Sequence, residues 1–144
     1  MAPFNRILLC YDPAIEGRRA LRSGALLAQQ LDAETHLLSI SDFAWWSNGF
    51  DVLSPVKFDA DKQAATDILR EGIDTLRAWG VTARGHFALG MAVDQIPRVA
   101  NTMKVDLIII GHRRGGTVAR WWAAGNHILL LNRVSCSVLV QTGQ

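Results

Sequence analysis

Short apolar runs alternate with amphipathic helical patterns from one end of the chain to the other, and this alternation narrows the fold more than any other feature. Ile7-Leu8-Leu9-Cys10-Tyr11 and Leu107-Ile108-Ile109-Ile110 are continuously apolar. A strand with one face in water alternates apolar and polar residues, so an unbroken apolar run implies a strand covered by helices on both sides. The two runs are therefore expected to be neighbours in the middle of a parallel sheet made of βαβ units. His36-Leu37-Leu38-Ser39-Ile40 and Ser137-Val138-Leu139-Val140 supply two more strands. Ala83 to Leu89 supplies a weaker fifth, diluted by Arg84, Gly85 and His86. The fold class that follows is α/β, a five-stranded parallel sheet with helices on both faces.

Between the first two strands, Leu21, Gly24, Ala25, Ala28 and Leu31 fall on one helical stripe, with Arg18, Arg22 and Gln29 opposite. The small residues in that stripe let the helix approach the sheet closely. From Asp59 to Trp79, the residues Ala65, Leu69, Gly72, Leu76 and Trp79 recur at helical spacing, and Gly80 supplies a stop. Asp94 is expected to N-cap a third helix carrying Ile96, Val99, Ala100 and Met103. That start places Pro97 in the first turn, where its missing N–H costs nothing. Phe43 to Val56, with Trp45, Trp46, Asn48, Gly49 and Pro55, has no stable period and reads as a long connection.

A chain of 144 residues makes a single domain. At this size roughly 70% of the unfolded surface is buried on folding, so the core needs neither disulfides nor a structural metal. Cys10 and Cys136 form no CxxC pair, and a reduced, cytoplasmic protein is expected. Met1 to Arg6 does not lead into the apolar stretch of a secretory signal, and no apolar run approaches about 18 residues, so neither secretion nor a membrane span is expected. A formal net charge of +2 gives no reason to expect nucleic-acid binding. His36, His86, His112 and His127 show no HxxxH or HExxH spacing, so no metal site is expected.

In a doubly wound sheet the ligand crevice lies outside the C-terminal ends of the strands, where the strand order reverses. The first strand is expected to end at Asp12, a carboxylate at the lip of the sheet. The fourth is expected to end at Gly111, which opens the loop Gly111-His112-Arg113-Arg114-Gly115-Gly116-Thr117. Gly125-Asn126 precedes the helical run Ile128 to Leu131, and Asn126 is expected to cap it. The free N–H groups and positive dipole end of such a helix favour phosphate. Taken alone, Asp12 also reads as a turn or cap residue, and the loop as a plain connection with solvated arginines.

In their order and spacing these pieces resemble the universal stress protein family. The resemblance is carried by Ile7 to Asp12, Ala20-Leu21 through Leu31, Gly90 to Met103, Val105-Asp106-Leu107 to Gly111, and Cys136-Ser137-Val138-Leu139-Val140. It implies a Rossmann-like sheet with strand order 3-2-1-4-5, a homodimer through the last strand (Ser137, Val138, Leu139, Val140) and, in one of two branches, binding of ATP with Mg. That branch holds the phosphates with GxxG, nine residues, then G followed by Ser or Thr. Here Gly111 matches the first glycine, but Arg114 stands at the second unless the loop carries one extra residue, in which case Gly115 serves. Gly125 then follows at the right gap, with Asn126 in place of the hydroxyl residue. Read without a gap, the pair falls on Ala124-Gly125. Either way the hydroxyl is lost. An Arg at the second glycine adds bulk where backbone approaches phosphate, and it adds a charge that binds phosphate. Asp12 takes the position of the family's adenine-contacting Asp, and Ile40 that of the residue whose backbone meets the base. The implied site is Asp12 and Ile40 at adenine, with Gly111, His112, Arg113, Gly115, Gly125 and Asn126 around phosphate.

Two readings follow. One is a cytoplasmic stress-response or signalling dimer that binds ATP. The other is a nucleotide-independent interaction module of the second branch, meeting protein partners through the loops that bear Trp45, Trp46, Trp121 and Trp122. No catalytic nucleophile or general base stands out, so an enzyme is not expected; slow ATP hydrolysis or autophosphorylation is the most the resemblance adds, with Thr117 the nearest spare hydroxyl. Related adenylating enzymes carry an SGGxDS-type loop where this chain has Asp12-Pro13-Ala14-Ile15-Glu16. A Walker GxxxxGK[ST] and a GxGxxG are also absent, against P-loop and dinucleotide functions.

Overall fold

A computed structural model of the chain describes residues 4–11, 15–41, 55–90, 92–112 and 126–142, with the backbone alone at 15–20, 41, 55–61, 64–65, 111–112, 126–127 and 142. Along it run β1 (Arg6–Cys10), α1 (Ile15–Leu31), β2 (Glu34–Ser41), α2 (Pro55–Ala78), β3 (Ala83–Leu89), α3 (Ala92–Met103), β4 (Leu107–His112), α4 (Asn126–Arg133) and β5 (Ser137–Thr142). All strand pairings are parallel and the sheet order is β3-β2-β1-β4-β5. The two continuously apolar runs are central neighbours, Leu8 opposite Ile108 and Leu9 opposite Ile109.

Successive residues of a strand point to opposite faces, so each apolar run feeds two cores. Ile7, Leu9, Leu37 and Ile109 pack against Leu21, Ala25 and Ala28 of α1 and Leu76 of α2. On the other face, Leu8, Leu38, Ala88, Ile108 and Ile110 pack against Ile96, Val99 and Ala100 of α3 and Leu130 of α4. The small residue in the α1 stripe is needed for contact: a Cβ on Gly24 would lie 2.5 Å from Cδ2 of the buried Leu9. Asp106 ties the starts of β1 and β4 together, its carboxylate accepting the backbone N–H groups of Asn5 at 2.9 Å and Arg6 at 3.0 Å.

Three helices end the same way. The N–H groups of Ala33, Val81 and Val105 reach back to the carbonyls of Ala28, Leu76 and Ala100 at 3.0, 2.9 and 3.0 Å. Each time the preceding residue is left-handed: Asp32 (φ 51°), Gly80 (φ 86°) and Lys104 (φ 54°). This is the Schellman arrangement, with an apolar residue after the left-handed one folding back onto the core. Gly80 stops α2 as the sequence implied; the other two stops use residues that carry a Cβ.

The sequence reading needs correction at three boundaries. α2 starts at Pro55, so it takes the last two residues of the expected connection; Pro at a first helical position suits its fixed φ and missing N–H. α3 starts at Ala92, so Asp94 lies in the first turn and is not the N-cap, and Pro97 stands inside the helix. A proline there leaves the carbonyl four residues back without its helical donor. That carbonyl belongs to Val93, and the Arg133 guanidinium donates to it at 3.4 Å while pairing with Asp94. Finally, β4 runs through Gly111 to His112, which pair with Gln141 and Thr142 of β5, so the loop opens after His112.

Candidate functional site

The sheet order sets where a ligand site belongs. From β1 the chain moves outward through β2 and β3 on one side, then returns to β4 and continues to β5 on the other. α1 and α2 cover one face and α3 and α4 the other, so the strand order reverses between the C-terminal ends of β1 and β4, the rim where ligand crevices form in doubly wound sheets. At the rim, the N–H of the buried Tyr11 donates to the Leu38 carbonyl at 3.0 Å and carries the β1 to β2 pairing one residue beyond the strand. Ile40 lies two residues further along β2, half-buried against the α3 and α4 core. Across β1, the backbone of Gly111 and His112 forms the end of β4, and α4 begins at Asn126. Asn126 is thus the first residue of the helix.

Of the residues singled out from the sequence, Ile40 lies near the end of β2, Gly111 and His112 end β4, and Asn126 begins α4. Asp12, Arg113, Arg114, Gly115 and Gly125 lie outside the described residues, as do Trp45, Trp46, Trp121 and Trp122.

A second polar cluster runs from the starts of β1 and β2 to the middle of β3. His36 is 2% exposed, yet its Nδ1 is 2.8 Å from Nε2 of His86 on the next strand. Its Nε2 is 3.3 Å from Oε2 of Glu34, and that same oxygen is 3.0 Å from Nε of Arg6. The hydrogen bond from His36, aided by Arg6 and Arg84, holds the Glu34 carboxyl below its usual range. Burial first, then His36 and Arg84, holds the His86 imidazole below its usual range. Sequence spacing gave no sign of this cluster, because the two histidines are 50 residues apart and meet only through the β2 to β3 register, in which His36 lies opposite Arg84 and Leu38 opposite His86. Among the described residues no group of three or more His, Cys, Asp or Glu side chains is arranged to hold a metal ion. No described helix is long and apolar enough to cross a membrane.

The model of the universal stress protein family matches residues 3–141. The chain belongs to this family. Among curated proteins no relative matches it. Solved universal stress proteins share its fold at low identity. UspA from Lactobacillus plantarum superposes with a TM-score of 0.76 at 21% identity, covering 96% of this chain and 97% of that one. The universal stress protein from Archaeoglobus fulgidus in complex with dAMP gives 0.69 at 20% identity, covering 97% and 98%. A universal stress protein in complex with cAMP gives 0.71 at 18% identity, covering 96% and 97%. The family's Rossmann-like architecture and the 3-2-1-4-5 order expected from the resemblance are those of this chain.

Proposed function

We propose that this universal stress protein binds an adenine nucleotide, ATP with Mg, in the crevice outside the ends of β1 and β4, and acts as a cytoplasmic stress-response or signalling dimer. The observation that carries the reading is the reversal of strand order between β1 and β4, with α4 the next described element after β4. Free N–H groups and a positive dipole end at the start of an eight-residue helix suit phosphate, and Arg113 and Arg114 add positive charge from the adjoining segment. At the other side of the rim, Ile40 offers a half-buried apolar surface beside extended backbone, a setting that suits a planar base. The dAMP and cAMP held by two relatives support adenine as that base.

In this reading Asp12 and Ile40 meet adenine, and Gly111, His112, Arg113, Gly115, Gly125 and Asn126 surround the phosphates. Mg would neutralise phosphate charge, and the chain's own residues bind and orient the nucleotide without a turnover step. The dimer forms through β5, whose outer side has no strand neighbour among the described residues and whose Leu139 is 41% exposed; pairing with a second copy removes that edge.

Calorimetric titration of nucleotide-stripped protein with Mg-ATP tests the reading. Saturable heat that is lost in Asp12→Ala is the expected outcome. A folded protein that gives no heat with Mg-ATP, dAMP or cAMP overturns it and leaves the nucleotide-independent interaction module in its place.

A further inference from the structure

We propose that Glu34, His36 and His86 form a proton-controlled latch that holds the edge strand β3 on β2, admits one proton and opens on the second. The latch uses none of the residues assigned to the proposed nucleotide crevice and does not depend on that reading.

Its logic is a count of donors. Neutral imidazole has one N–H and one bare nitrogen. The Glu34 carboxylate accepts only, so it selects the His36 tautomer with hydrogen on Nε2, which leaves Nδ1 bare. Across 2.8 Å, His86 must then supply the hydrogen from its Nε2. The chain therefore runs His86 Nε2–H to His36 Nδ1, and His36 Nε2–H to Glu34. A first proton on the pair breaks nothing, since one ring still donates to the other across the same 2.8 Å. A second puts a hydrogen on both facing nitrogens. Two N–H groups would then point at each other at hydrogen-bond distance, on two positive rings with centroids 5.0 Å apart. The pair must separate.

The surrounding charges leave the second proton uncompensated. On this face β1 presents Arg6, β2 presents Glu34 and β3 presents Arg84. Glu34 is already shared with Arg6. α3, which packs on the same face, meets the sheet through Ile96, Val99, Ala100 and Met103. Its charged residues are engaged elsewhere: Asp94 with Arg133, and Arg98 with Gln95. α2 lies on the opposite face, where its apolar Leu69 and Ile73 meet Gly85 and its Arg70, Asp74 and Arg77 are exposed.

The sign follows from proton counting. A free imidazole titrates near pH 6.5, so as pH falls through that value the open state takes up two protons while the latched state holds at most one. The latched state is fully favoured above that pH and loses ground as pH falls below it. β3 responds first because it is an edge strand whose Arg84 and Gly85 are already exposed.

Amide hydrogen exchange of the full chain at pH 7.5 and pH 5.5, corrected for intrinsic rates, tests this in wild type and His86→Gln. The Gln amide donates to neutral His36 through its nitrogen and, turned over, accepts from protonated His36 through its oxygen, so no proton separates the latched state from the open one. The expected result is that β3 amides bonded to β2 lose about tenfold in protection at the lower pH relative to β4 amides, and that His86→Gln loses none. Equal pH responses of β3 and β4 in wild type overturn the proposal, as does the same loss in His86→Gln. Imidazole nitrogen spectra give an independent readout: His36 is expected as the Nε2–H tautomer at pH 7.5, and the Nδ1–H tautomer contradicts the latch.

Discussion

The Arg133 guanidinium, from the last turn of α4, donates at 3.4 Å to the Val93 carbonyl in the first turn of α3, the acceptor that Pro97 leaves without a helical donor. It also pairs with Asp94, so one side chain answers both the broken ladder and a first-turn carboxylate. Arg133→Ala is expected to cost about 1 kcal/mol of stability in denaturant unfolding. Pro97→Ala restores an N–H opposite Val93, so the Arg133 cost should shrink in that background. Equal costs in both backgrounds would show that Arg133 does not act through the Val93 carbonyl.

The helix stops at Asp32, Gly80 and Lys104 share one geometry, but only Gly80 lacks a Cβ in the left-handed region. Lys104→Gly is expected to stabilise the protein by about 0.5–1 kcal/mol, and Gly80→Ala to destabilise it by about 1 kcal/mol. Thermal unfolding of the two variants checks this, and a drop in Tm for Lys104→Gly would contradict it.

Burial, with Cys136 nearby, pushes the Cys10 thiol up to about 12. The thiolate is the reactive form, so Cys10 should be inert to a disulfide reagent at pH 8 in the native protein and react about a hundredfold faster or more once unfolded. Burial also raises the half-buried Cys136, which should react more slowly than free cysteine. Rapid labelling of both thiols in the native state would contradict this.

Leu139 exposes an apolar side chain on an edge strand. If β5 is the dimer contact, Leu139→Lys should place a charge at the seam and lower the mass in sedimentation to that of the 15.8 kDa chain, with the fold intact by circular dichroism. A wild type and variant of equal mass would remove β5 from the assembly.

What could be read from the sequence was what local chemistry decides. The unbroken runs Ile7 to Tyr11 and Leu107 to Ile110 announced buried central strands, and the stripe Leu21, Gly24, Ala25, Ala28 announced a closely packed helix. Strand order came through the family resemblance, since periodicity says which residues are buried and not which strand lies beside which. The start of α3 was misread because Pro97 is tolerated through Arg133, which lies 40 residues from Val93 along the chain. The Glu34, His36 and His86 cluster was missed for the same reason: its contacts come from register between strands. Of the site residues singled out from the sequence, Ile40 lies near the end of β2, Gly111 and His112 at the end of β4 and Asn126 at the start of α4, while Asp12, Arg113, Gly115 and Gly125 lie outside the described residues.

The site assignment is tested most directly by backbone amide NMR of the stripped protein titrated with Mg-ATP. Saturable shifts centred on Tyr11, Asp12, Ile40, Gly111, His112, Arg113, Gly115, Gly125 and the first turn of α4 are the expected result. Absence of saturable shifts at that rim, or shifts centred instead on His36, His86 and the start of β3, would contradict nucleotide binding outside the ends of β1 and β4.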